Sequence, residues 1–139
     1  ATTAEQLLQV LQTELELLNA DPSVETTLLI HPAVLQDFYD FNDFLGCADI
    51  LLLDMELEGI YQVASFHPDY QFGGTRPGDA ENYTNRAPYP VLHLLREESL
   101  ERVIADYPDV DDIPERNIEL MNSLGQDKLQ ALLKSCLKP

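Results

Sequence analysis

Not one lysine or arginine occurs between residues 1 and 60, a span that holds twelve aspartates and glutamates. Over the whole chain, 8 basic residues face 25 acidic ones, giving a formal net charge of −17 and a pI near 4.1. Sequence-independent binding to a phosphate backbone depends on Lys and Arg neutralising phosphates, so nucleic acid is not an expected partner. The plain reading of the acidity is solubility. Cysteine is also scarce. Cys47 and Cys136 are too few and too far apart for a disulfide framework or a cysteine metal motif, and are expected to be buried or partly buried thiols in a reducing compartment. No apolar run reaches the ~18 residues a membrane helix needs, and the start Ala1-Thr2-Thr3-Ala4-Glu5 has no signal-peptide character. The expectation is a cytoplasmic protein with no membrane partner.

Several compact motifs are missing as well. Gly73-Gly74-Thr75 lacks the Lys and following helix of a phosphate-cradling loop, and Asp109-Val110-Asp111-Asp112 lacks the glycine and distal glutamate of a calcium loop. No serine sits in a Gly-x-Ser-x-Gly turn.

What remains is a chain of 139 residues, 45% apolar, suited to one globular domain. Thr2 or Thr3 with Glu5 or Gln6 reads as a capping box, followed by Leu7, Leu8, Leu11, Leu15 and Leu18 at helical spacing. A short strand from Thr26 to His31 is stopped by Pro32. The Leu-, Phe- and Tyr-rich stretch from Ala33 to Leu53 reads as one or two helices broken near Gly46. A second strand runs from Ile60 to Phe66 and a third from Val91 to Leu95, ended by Arg96. Three helices close the chain: Glu97 to Tyr107, Asp111 or Asp112 to Gly125, and Gln126 to Leu137. This order predicts an α/β or α+β domain, a small mixed sheet of about three strands packed with helices and a helical C-terminal region. The first two strands, joined by a helix, are expected to be parallel neighbours.

Between the second and third strands lies the most informative segment. Residues 65–97 gather two of the three histidines, four prolines, three of the 6 glycines and three of the 6 tyrosines. A connection this long inside a compact domain is usually functional or disordered, and its aromatics and prolines argue against disorder.

Two constellations there could carry chemistry. His31-Pro32 and His67-Pro68 each end a strand, and parallel strands would bring both to one edge of the sheet, where ligands tend to sit in open sheets. His67 is the candidate acid or base, because imidazole titrates nearest neutrality. Arg86 and Arg96 are candidates to grip an anionic ligand through their guanidinium forks, with Tyr70, Asn82 and Asn85 orienting it. The cofactor is not specified by sequence; a zinc ion on His31, His67 and His93 is an alternative, although their spacing matches no compact signature. The bland counterpart is that His31 and His67 merely tie down strand ends and the arginines satisfy carbonyls.

The blocks Glu25 to Pro32, Leu57 to Phe72, Asn82 to Glu97 and Ile113 to Ile118 resemble a bacterial family of uncharacterised proteins, domain-of-unknown-function family 1415. The resemblance implies no activity. It implies a longer N-terminus, with an Asn-Leu-Cys-Pro-like motif and a strand ahead of the first helix, whereas this sequence starts directly at that helix, as expected of either a shortened chain or a divergent member. Two functions are therefore expected to compete. One is a small-molecule site, taking an anionic metabolite, built by the 66–96 loop and the strand ends. The other is a non-catalytic interaction module that uses the Tyr-, Pro- and Asn-rich loop as its surface.

Overall fold

The computed structural model describes residues 1–137. Its first helix, α1 (Ala4–Ala20), begins where the capping residues place it: the Thr3 hydroxyl accepts from the Gln6 N–H, while the Gln6 side chain accepts from the Thr2 N–H at 2.9 Å. Leu7, Leu11, Leu15 and Leu18 recur on one face and are all fully buried. After β1 (Thr27–Ile30) the chain turns through residues 31–37 into α2 (Phe38–Asp54), whose N-cap is Asp37. That helix runs unbroken through Gly46. Its continuous stripe of Phe41, Phe44, Ala48 and Leu52 packs into the core, which outweighs the ~1 kcal/mol that a helical glycine costs. Cys47 lies off this stripe and is exposed, as is Cys136, so neither thiol is buried as expected.

The sheet is completed by β2 (Tyr61–Phe66) and β3 (Val91–Arg96), in the order β1-β3-β2. Both outer strands pair with β3 antiparallel. The sheet is therefore antiparallel rather than mixed, and β1 and β2 are not neighbours. They do point the same way, because each runs against β3. Ile30 and Phe66 both stand opposite Val91, so the two His-Pro steps leave the sheet at one edge.

Alternation sorts the side chains. Leu92 and Leu94 point inward with Tyr61 and are buried against α1 and α2, while Leu28, His93 and Ala64 share the outer face. Leu28 and Ile30 on that outer face are more than half exposed, at 59% and 54%. The helical layer therefore covers one face.

The C-terminal helices α3 (Glu97–Asp106), α4 (Ile113–Leu124) and α5 (Gln126–Ser135) follow β3. Among them only Leu129 is buried. The strongest packing of α4 is against the long β2–β3 connection, whose residues Ala80–Asn85 form a 3-10 helix. At Gly78 a Cβ would meet the Gln126 side chain at 3.2 Å, a close approach that brings the start of α5 against the same connection.

Candidate functional site

The long connection is ordered by one buried side chain. Asn82 is fully buried; its Oδ1 accepts from the Phe72 N–H at 2.9 Å and the Thr75 hydroxyl at 3.0 Å, and its Nδ2 donates to the Arg76 carbonyl at 2.8 Å. Three hydrogen bonds from one amide pin residues 72, 75 and 76 onto the 3-10 helix. The Gln71 Nε2 donates to the Thr75 carbonyl, and Asp79 accepts from the Arg76 N–H. Buried polar groups demand such partners, and here the demand shapes the loop.

His67 is also fully buried, and both its nitrogens are spent. The Asp69 N–H donates to Nδ1 at 3.0 Å, which leaves Nε2 as the protonated nitrogen, donating to the Leu35 carbonyl at 3.0 Å. Its ring packs on Phe41 and Phe38, with centroids 5.0 and 5.5 Å away. His31, 2% exposed, faces Phe41 at 5.7 Å, and its Nδ1 contacts the Val34 carbonyl at 3.0 Å. The two imidazoles thus hold consecutive carbonyls of the 31–37 turn, where Leu35 adopts a φ of 61°, an unfavourable backbone for a branched residue. Burial lowers the His31 pKa, a shift that the Val34 hydrogen bond opposes and the nearby His67 reinforces.

The arginines are committed elsewhere. Arg86 donates through Nε to the Tyr70 carbonyl and through a terminal nitrogen to the Pro77 carbonyl, and its guanidinium lies 4.5 Å over the Tyr83 ring. Arg96 stands opposite Tyr61, at the other end of β3 from Val91 and the His-Pro edge. Five residues of strand separate these ends, roughly 17 Å. There Arg96 donates to the carbonyls of Leu18 at 2.7 Å, Asp21 at 3.2 Å and Val24 at 2.6 Å. It closes the C-terminal end of α1, which has no basic residue in its own last turn. Among the described residues, His67 and Arg96 therefore lie at opposite ends of the sheet and Arg86 is held on its own carbonyls, so the three do not converge on a shared hollow. His93 lies on the outer sheet face, away from His31 and His67, and among the described residues no group of three His, Cys, Asp or Glu is placed to hold a metal.

Of the loop's tyrosines, only Tyr89 is exposed. Tyr70 packs between Phe38 and Phe72, 5.0 and 4.9 Å away, and Tyr83 lies beneath Arg86.

A different hollow is present. A cleft of 610 Å³ opens between the 72–85 part of the connection and the first turns of α4. Phe72, Ile113, Pro114 and Ile118 supply its apolar lining, and Gly73, Gly74, Thr75, Glu81, Thr84, Asn85 and Asn117 the rest. Of the candidate site residues read from the sequence, only Asn85 lines it. The α4 contribution falls in the Ile113 to Ile118 block that carries the family resemblance, and the docking of α4 on the 3-10 helix brings that block to the cleft.

Fold and cleft together define a small α+β domain with an antiparallel three-stranded sheet and a walled cleft off one end. The chain belongs to the family described as protein of unknown function (DUF1415), whose model matches residues 1–131. No curated protein and no solved structure matches it. No helix among the described residues is long and apolar enough to cross a membrane.

Proposed function

We propose that this domain binds a small organic molecule in the cleft between residues 72–85 and α4. The observation that carries the reading is the cleft itself. Its volume falls within the range of ligand sites, and its lining combines apolar with polar side chains. Its floor is held by the Asn82 hydrogen bonds, so the polar groups are positioned before any ligand arrives. His67 serves in this reading as a structural clamp, since moving a proton through it requires breaking a buried hydrogen bond on one side of the ring. Asn85 keeps the ligand-facing role read from the sequence, whereas Tyr70, Asn82, Arg86 and Arg96 build the scaffold. The loop supports a protein-facing surface less well, because two of its three tyrosines are turned into the fold. A chain with a net charge of −17 also disfavours nucleic acid as the occupant.

The test is a fragment screen followed by amide chemical shifts. Hits are expected to move the amides of Gly73, Gly74, Glu81, Thr84 and Asn117, and Asn117→Trp, which fills the cleft from an exposed position, is expected to abolish them. A library whose hits all map elsewhere, or survive Asn117→Trp unchanged, overturns the reading.

A further inference from the structure

Polar lining alone does not say what a cleft takes; which hydrogen-bonding capacity remains unspent does. We infer that the cleft's occupant is a small organic ammonium compound, a protonated amine carried on an apolar body. This rests on the cleft being the ligand site, and it departs from the anionic metabolite expected from the arginines of the loop.

The hydroxyl donors and the Asn85 amide around the cleft are consumed by the fold, which leaves the Asn117 amide and the Gly73 and Gly74 N–H groups as its open donors. The Thr75 hydroxyl gives its proton to the Phe72 carbonyl at 2.7 Å or to Asn82 Oδ1 at 3.0 Å, and the Thr84 hydroxyl gives its own to the Glu81 carbonyl at 3.0 Å. The Asn85 Nδ2 donates to the Ser65 carbonyl at 3.1 Å. What these side chains retain is acceptor capacity: the lone pairs of two hydroxyls and the Asn85 Oδ1. Glu81 adds a carboxylate, partly buried, that accepts no hydrogen bond from any of the described residues; the Thr84 hydroxyl donates to its main-chain oxygen instead.

Charge points the same way. Glu81 is the sole ionisable side chain in the lining, which contains no Lys, Arg or His. Of the arginines near the cleft in sequence, Arg86 has its guanidinium on the Tyr70 and Pro77 carbonyls, Arg116 reaches the Asp109 carbonyl, and the exposed Arg76 follows Thr75 without entering the lining. The start of α4 would otherwise favour an anion, but Asp109, Asp111, Asp112 and Glu115 outnumber Arg116 around that turn. A ligand matched to the Glu81 carboxylate and to these acceptors brings donors and positive charge, and the field of so acidic a chain concentrates cations at its surface. The apolar lining of Phe72, Ile113, Pro114 and Ile118 calls for an apolar body beside the charge, which separates an organic ammonium from a bare metal ion.

A matched trio tests the inference on the intact chain: 2-phenylethylamine, 2-phenylethanol and phenylacetate, with calcium chloride as a fourth arm. The amine is expected to shift the Gly73, Gly74 and Thr84 amides and to bind at least about tenfold more tightly than the alcohol, as a charge-assisted hydrogen bond implies, with phenylacetate weakest. Glu81→Gln is expected to erase the difference between amine and alcohol without lowering the melting temperature. Alcohol equal to amine, or phenylacetate binding best, overturns the ammonium inference and leaves the cleft reading standing. The same amide shifts from calcium alone also overturn it, in favour of a metal ion. Failure of all four arms, together with a fragment screen that never reaches the cleft, overturns both.

Discussion

Arg96 gathers three main-chain carbonyls from the end of α1 and the turn after it, and no other residue type could do the same from that strand position. A guanidinium offers five donors in a planar fork, whereas the lysine ammonium is a single point on a flexible stem. Arg96→Lys is therefore expected to destabilise the fold by about 2–4 kcal/mol, since hydrogen bonds to charged groups contribute about 1.5–3 kcal/mol each and partly buried carbonyls are left unmet. Urea unfolding checks this; a loss below about 0.5 kcal/mol would show that water replaces the fork at no cost.

His31 makes a prediction of opposite character. Its Nε2 is buried with no partner among the described residues, and burial disfavours the charged ring. With the folded pKa below the ordinary 6.5, the unfolded chain takes up the proton first as pH falls. The contribution is complete above 6.5 and is lost below it, down towards the lowered folded value. Asp21, whose carboxyl is held below 3.8 by hydrogen bonds from Ser23, contributes in the same direction but only in more acid solution. Between about pH 7 and about pH 5, urea midpoints are expected to fall for the wild type and to fall less for His31→Asn. Equal slopes for the two proteins would remove His31 from the acid response. At this scale the sequence revealed which side chains mattered more often than what they did: His67, Asn82, Arg86 and Arg96 all proved tightly engaged, as main-chain clamps.

The helices show how propensity and packing divide the work. Gly46 reads locally as a break, yet α2 continues through it because Phe41 and Phe44 before it and Ala48 and Leu52 after it lie on one buried stripe. The glycine is exposed, and a Cβ built on it meets nothing within 4 Å. Gly46→Ala is expected to stabilise the protein by about 0.5–1 kcal/mol, raising the melting temperature by roughly 2–4 °C. No change, or a loss, would mean that this face of α2 is covered by something in solution. The strands repeat the lesson. Their positions follow from alternation and from proline, but the placing of β3 between β1 and β2 does not, because a helical crossover admits both a neighbouring strand and one that skips a place.

For the whole molecule, charge is the dominant global property. Twelve acids and no base in residues 1–60 lie on α1, α2 and the elements around them, so much of the self-repulsion is concentrated in the half that forms the core layer. Raising sodium chloride from about 10 mM to about 150 mM shortens the screening length from about 30 to about 8 Å. The urea midpoint is expected to rise as a result, and a fall would show that attractive pairs outweigh repulsion. By itself the sequence determined the helical stripes, the three strands and the chemical richness of the loop. Each of these is written in spacing along a short stretch of chain, whereas the shared edge of the two His-Pro steps came from the pairing of both outer strands with β3. Only the tertiary structure decided which donors were left free, that Arg96 and His67 lie at opposite ends of the sheet, and that α4 walls the cleft. Those outcomes depend on pairings between distant residues, where every buried polar group takes the nearest partner the packed fold offers, and no local pattern encodes that competition.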